Sequence, residues 1–188
     1  RAHSRWCSNA KFMYTSTNQN ENNQNIYVVT ASDDATMKLW DISKSYTKTK
    51  KKSTSSSSVL QLPHCVWTAK NVHDRGIFAL DVCNGYILTG SKDKTVAISH
   101  IEHGTSSLKA ATSRYCFHSG VVKTVDWKKQ NGNVNPNIFV SGGQDRRVCI
   151  KDCRIKGYNK PEIEILDAHD GGVHTVKFNP QHGLYNSG

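Results

Sequence analysis

The sequence has no long apolar run, no Cys-x-x-Cys pair and no stretch with a sustained helical period. The first absence excludes a transmembrane helix, and no signal peptide is legible at Arg1-Ala2-His3-Ser4, which lacks a charged-then-apolar block. Because the sequence opens on Arg1 and not on Met, upstream targeting segments stay open. The six cysteines, Cys7, Cys65, Cys83, Cys116, Cys149 and Cys153, have no metal-ligand spacing, and several alternate with apolar residues in strand-like runs. Reduced, packed thiols are expected, and with them a cytoplasmic or nuclear setting. Acids are scarce too: 15 Asp and Glu against 25 Lys and Arg give a formal net charge of +10.

Motifs of catalysis are missing as well. There is no nucleophile-elbow Gly-x-Ser-x-Gly. His100, Glu102 and His103 lack the helical His-Glu-x-x-His spacing of zinc proteases. Gly90 to Thr95 sets Lys and Thr near Gly, but the spacing is wrong for a phosphate loop, and a strand follows where a helix N-terminus would be needed. The dipeptides His73-Asp74 and His169-Asp170 have no recognisable further ligands. No catalytic residue, metal ligand or cofactor is assigned.

What the chain does have is repetition. Val28 to Ile42, Ile87 to Ile101 and Phe139 to Arg154 read as one strand–turn–strand unit, each with a hydroxyl residue followed four positions later by Asp: Thr30/Asp34, Thr89/Asp93 and Ser141/Asp145. Upstream of each, a His precedes mostly apolar residues four, seven and nine positions on. The copies start at His73, His118 and His169 and, less cleanly, at His3.

These residues, with the single dipeptide Trp40-Asp41, resemble the WD-repeat (WD40) family, whose period is about 40–45 residues with four strands per propeller blade. The repeat aspartates here are spaced more widely, so insertions are expected at Ser43–Ser58, a polar Lys- and Ser-rich run, and at Gln130–Asn137. The polar stretch Thr15–Asn25 is expected to separate the first two strands.

The resulting expectation is an all-β fold, a WD40 β-propeller fragment of about three blades plus the start of a fourth. Blade one covers about residues 4–70 with the insertion 43–58, blade two about 71–118, blade three about 119–169, and an incomplete blade 170–188. Expected strands are Arg5–Met13, Ile26–Ser32, Thr36–Ile42 and His64–Lys70, then Ile77–Cys83, Tyr86–Ser91, Thr95–Ile101 and Arg114–His118. Val121–Lys128, Ile138–Gly143, Arg147–Ile155 and Glu162–Asp167 follow, with Val173–Asn179 and Leu184–Gly188 opening the fourth. An open propeller exposes strand edges that natural proteins avoid, so the chain reads as a fragment.

The resemblance implies structural hydrogen-bonded tetrads: His3, Thr30, Asp34 and Trp40 in blade one, His73, Thr89 and Asp93 in blade two, and His118, Ser141 and Asp145 in blade three. Ser99 and Lys151 stand where the second and third blades would carry Trp, and Ala2, Val72, Phe117 and Ala168 stand where Gly would precede each His. With a full tetrad only in blade one, loss of Asp34 is expected to cost more than loss of Asp93. The resemblance also implies a protein-binding rim at Trp6, Ser8, Asp33, Gly76, Phe78, Lys92, Val121, Lys123, Gln144, Gly172 and His174. Phe139–Arg154, ending in Asp152-Cys153-Arg154, is similar to the box by which some WD-repeat proteins dock on the adaptor of cullin-type ubiquitin ligases. Cys149 and Lys151 depart from that pattern.

The expected function is therefore a non-catalytic scaffold or adaptor for protein partners, without membrane contact. Two alternatives stand beside it: a nuclear or nucleic-acid-associated factor in ribosome assembly or chromatin, and a substrate receptor of a cullin-type ligase. The nucleic-acid reading draws on the lysines of Lys44–Lys52, where no stacking aromatics accompany the charge apart from Tyr46. A solvated, protease-sensitive insertion is the plainer account of that run.

Overall fold

The computed structural model describes residues 2–16, 24–43, 63–101, 108–128 and 136–179. Their strands form three four-stranded antiparallel sheets, each made by strands adjacent in sequence. The first holds β1 (Cys7–Ser16), β2 (Gln24–Ser32), β3 (Met37–Asp41) and β4 (His64–Ala69). The second holds β5 (Ile77–Cys83), β6 (Tyr86–Ser91), β7 (Val96–Ile101) and β8 (Leu108–Tyr115). The third holds β9 (Val122–Trp127), β10 (Ile138–Gly143), β11 (Val148–Asp152) and β12 (Ile163–Ile165). No helix among the described residues is long and apolar enough to cross a membrane.

The sheets stack in chain order, β1 and β2 against β5, and β5 and β6 against β9. The middle sheet is therefore covered on both faces, which explains why its strands are apolar without alternation. On β6, Ile87 enters the core shared with the first sheet, beside Val29 and Leu39, while its neighbour Leu88 enters the core shared with the third, beside Trp127 and Phe139. Successive strand residues point to opposite faces, so one strand serves two cores. In the first sheet the described residues cover only one face in this way: Met37 and Leu39 are buried, Lys38 and Trp40 half-buried. Complete burial of Ile87 and Leu88 contributes about 1.5–3 kcal/mol each.

Close approach between sheets explains one glycine position. A Cβ on Gly90 would lie 2.6 Å from Val122 Cγ1, and one on Gly142 2.6 Å from Val173 Cγ1. The small residue that follows the hydroxyl in each copy thus lets the next unit's incoming segment lie directly against the strand.

The repeated turn is the same in all three sheets. Ala35, Lys94 and Arg146 adopt left-handed φ values of 61°, 74° and 65°. Their amides donate to Ser32, Ser91 and Gly143 carbonyls at 3.1, 3.1 and 3.2 Å. This is the three-residue hairpin loop closed by a left-handed residue, and it fixes the preceding Asp in one place relative to both strands.

Several boundaries differ from the sequence expectation. β1 and β2 run into the polar stretch as far as Ser16↔Gln24, because the pairing is carried by backbone groups and needs no apolar side chains. β8 begins at Leu108, ahead of the expected Arg114, and stops at Tyr115, while β12 is limited to Ile163–Ile165. Val173–Asn179, expected as a strand, is not one among the described residues. Its amides instead bond to the third sheet's side chains: Val176 N–H to Thr124 Oγ1 at 3.1 Å and Phe178 N–H to Asp126 Oδ2 at 2.9 Å. Lys44–Lys52, the greater part of both insertions and Leu184–Gly188 lie outside the described residues.

Candidate functional site

The turn geometry brings each repeat Asp beneath its His. In the first sheet His3 Nε2 is 2.8 Å from Thr30 Oγ1, Trp40 donates its indole N–H to that hydroxyl at 2.9 Å, and His3 Nδ1 lies 3.2 Å from Asp34 Oδ2. In the second, His73 is 2.8 Å from Thr89 Oγ1 and 3.2 Å from Asp93 Oδ2. In the third, His118 is 2.9 Å from both Ser141 Oγ and Asp145 Oδ2. All three imidazoles are buried.

The carboxylates are held ionised. Burial alone would raise Asp34, but the Thr36 hydroxyl at 2.6 Å and the Ser4 amide at 2.9 Å, with His3, carry it well below the usual range. For Asp93 the same opposition of burial is overcome by His73, Thr95 and the Asp74 amide, and for Asp145 by His118 and the Ser119 amide. Burial in turn pulls His118 downward, and a neutral ring donating from Nδ1 to ionised Asp145 satisfies both shifts. Each buried imidazole and its carboxylate thus have partners, which is what makes these three networks tolerable in an apolar stack.

On the rim above these networks, Asp33 N–H donates to Trp6 O at 3.0 Å, Lys92 N–H to Gly76 O at 2.9 Å and Gln144 N–H to Val121 O at 2.8 Å. The residue three after each His therefore lies beside the residue just before each Asp. Trp6 is 64% exposed, and its ring packs on half-buried Phe78 at 5.8 Å between centroids, tilted by 60°. Lys123 Nζ stands 4.5 Å over the Phe78 ring. Lys92, Gln144 and His174 are exposed, and Gly172 is half-buried against Gln144. Ser8 is not free for a partner: its hydroxyl donates to Ile77 O at 2.6 Å and ties the first sheet to the second.

A family model for the WD domain, G-beta repeat, matches residues 3–41. That segment runs from His3 to Asp41 and contains the one network with its Trp. The chain is also 25% identical over 117 residues to the ribosome biogenesis protein WDR12 homolog of Nematostella vectensis. The match covers 62% of this chain and 26% of that protein, so it spans about a quarter of the relative's length. Residues 3–41 thus match a WD repeat, and the three four-stranded antiparallel sheets have the form of WD-repeat blades.

In WD-repeat terms, each sheet is a blade and strand register locates the Trp position in all three. Trp40 pairs with Val28, Ser99 with Ile87 and Lys151 with Phe139, each partner standing two residues before the tetrad hydroxyl. Ser99 is fully buried and its hydroxyl has no partner among the described residues. Lys151, 1% exposed, donates from Nζ to Glu162 Oε1 at 2.7 Å and to Ile155 O at 3.2 Å. The fourth repeat histidine, His169, is exposed. At the blade-three box, exposed Arg154 closes a fork on Asp152, at 2.5 Å from Nη2 to Oδ2, so the two residues face one another.

Sequence reasoning missed several partners. Thr36 and Thr95, each two residues after its Asp, hold the carboxylate with both hydroxyl and amide, and the shared Asp-x-Thr spacing was a visible signal. Arg114 reaches Asp93 Oδ2 at 2.6 Å and Asp74 Oδ2 at 2.9 Å from the outer strand. Asp81 and Asp126, eight residues after His73 and His118, accept amides of the next unit, Trp127 N–H at 3.0 Å and Phe178 N–H at 2.9 Å. Among the described residues no group of three or more His, Cys, Asp or Glu is placed to hold a metal ion.

Proposed function

We propose that this chain is a non-catalytic scaffold that recruits a protein partner on the rim joining blades one and two. WD repeats form protein-interaction scaffolds, and the observation that carries the assignment to this rim is the Trp6–Phe78 pair. Of the other exposed large apolar side chains, Ile155, Tyr158 and Leu166 lie outside the strands and the rest on the outward faces of the end sheets. Phe12 and Tyr14 share one face of β1, while β12 presents Ile163 and Ile165 beside Val148 and Ile150 on the side away from Cys149 and the blade-two core. Trp6 and Phe78 differ in standing where two blades meet. A large ring held by a rigid neighbour at low entropic cost is the type of residue that dominates binding energy once a partner desolvates it.

The test is affinity capture followed by quantitative binding of the captured partner. Trp6→Ala and Phe78→Ala should each weaken binding by about 2 kcal/mol, roughly thirtyfold, with little change in melting temperature. A partner that binds both variants as tightly as wild type removes this rim.

A second reading places the scaffold in ribosome assembly in the nucleus. It is supported by the name of the relative, a ribosome biogenesis protein, and by the net charge of +10. Co-sedimentation with pre-ribosomal particles, retained when Lys48, Lys50, Lys51 and Lys52 are all changed to Gln, would favour protein-mediated recruitment. Loss of co-sedimentation in that variant would favour direct contact of the Lys44–Lys52 run with RNA.

A further inference from the structure

Beside the aromatic pair, the junction of blades one and two opens a cleft of about 430 Å³, lined among others by Arg5, Asp33, Asp74, Arg75 and Lys92. Gly76 keeps it open, because a Cβ there would collide with the Asp33 carboxylate.

Each acid lining this cleft already has a donor. Asp34 is held by His3, Ser4 and Thr36, Asp74 pairs with Arg114 at 2.9 Å, and Asp33 faces Arg5 at 3.6 Å. Of the cations, Arg5 is taken up by Asp33, while exposed Arg75 and Lys92 have no side-chain partner among the described residues. Two cations without a side-chain partner among the described residues thus stand in a cleft whose wall, through Asp33 N–H, bonds to the Trp6 backbone.

We propose that the junction binds an acidic peptide segment of a protein partner, with a carboxylate in the cleft against Arg75 and Lys92 and an adjacent large apolar side chain on Trp6 and Phe78. The inference rests on the rim reading above and adds the chemistry of the ligand. Charge complementarity favours a peptide over a nucleic-acid strand. Two free cations match one or two carboxylates, whereas a phosphate backbone would run past Asp33 and Asp74 as well. The rings also offer no parallel slot for a base, since they are tilted by 60° and Lys123 caps the Phe78 face.

The experiment uses the full-length protein and fluorescence anisotropy of three labelled probes. One is a short peptide of Glu and Asp around a central Phe, the second its Gln and Asn counterpart, and the third a short oligouridine. The acidic peptide should bind at least about tenfold more tightly than the neutral one, and more tightly than oligouridine, with affinity falling as salt rises. Arg75→Glu with Lys92→Glu should cost about tenfold or more for the acidic peptide only, while Trp6→Ala should weaken both peptides. Equal binding of the two peptides, indifference to the charge reversals, or tighter binding of oligouridine each overturns the proposal. If Trp6→Ala abolishes partner capture while the peptides bind equally, the acidic ligand falls and the rim stands. If capture survives Trp6→Ala, the rim falls and the inference with it.

Discussion

The Trp40 indole donates to the Thr30 hydroxyl at 2.9 Å, and this bond sets the proton arrangement of the first blade's network. An indole N–H can only donate, so Thr30 Oγ1 accepts from it and gives its own proton to His3 Nε2 at 2.8 Å. His3 then carries its hydrogen on Nδ1, directed at Asp34. In blade two the same register holds Ser99, whose buried hydroxyl meets no partner among the described residues, and Thr89 also turns toward Ala97 O at 3.3 Å. Ser99→Ala removes a buried polar group without breaking any bond, so it should leave stability unchanged or raise it by about 1 kcal/mol. Denaturant titration checks this, and a loss of more than about 1 kcal/mol would mean that the hydroxyl has a partner in solution.

The aspartates of blades one and two differ in the charge they hold. Asp34 receives His3, Ser4 and Thr36, while Asp93 receives His73, the Asp74 amide, Thr95 and, in addition, the Arg114 guanidinium. Removing Asp93 therefore leaves a partly buried cation without its closest counter-charge. This reverses the order expected from tetrad completeness: Asp93→Ala should destabilise at least as much as Asp34→Ala, each by about 2–4 kcal/mol. A double-mutant cycle with Arg114→Ala should show coupling between Arg114 and Asp93 and none between Arg114 and Asp34.

Much of this was legible because the signal was local. Hydroxyl and Asp stand four positions apart in each copy since the hydroxyl lies near the end of one strand and the Asp sits inside the short loop that follows, closed by Ala35, Lys94 or Arg146. What stayed hidden depends on segments distant in sequence. Arg114 reaches Asp93 from the outer strand, Glu162 reaches Lys151 across an intervening loop, and Ser8 bonds to the next blade's Ile77. A polar residue facing a neighbouring sheet looks the same in sequence as one facing solvent, which is why Ser8 read as rim.

Stability should fall on both sides of neutrality. Asp34, Asp93 and Asp145 are opposed by burial but held below the usual carboxylate range by their donors. Their folded values lie below the unfolded value of about 3.9, so the unfolded chain takes up protons first. Their contribution is complete above that value and is lost as pH falls through the folded values. His118, lowered by burial, acts in the same direction from about pH 6.5 downward. Cys149 is pushed up to about 12, chiefly by burial, so its contribution is complete below the unfolded thiol value of about 8.5 and is lost as pH rises through 12. Melting temperature should be highest at about pH 7–8, decline gently below about 6.5 and steeply below about 4. A midpoint that rises between pH 7 and 5 would show that His118 is charged in the folded state.

Lys151 and Glu162 should respond unequally to mutation. The ammonium is 1% exposed and depends on Glu162 Oε1 at 2.7 Å, whereas the carboxylate side chain is 25% exposed and also accepts the Asp152 amide at 2.6 Å. Glu162→Ala strands a buried charge, with only the Ile155 carbonyl at 3.2 Å to hold it, and should cost about 3–5 kcal/mol. Lys151→Met keeps the stem's volume, removes the desolvated charge and leaves Glu162 with water and its amide donor, so it should cost less than about 1 kcal/mol or stabilise. Chemical denaturation of both variants and of the double mutant measures the difference. Equal losses for the two single variants would mean that the pair is solvated and that Lys151 does not occupy the buried Trp position as a paired ion.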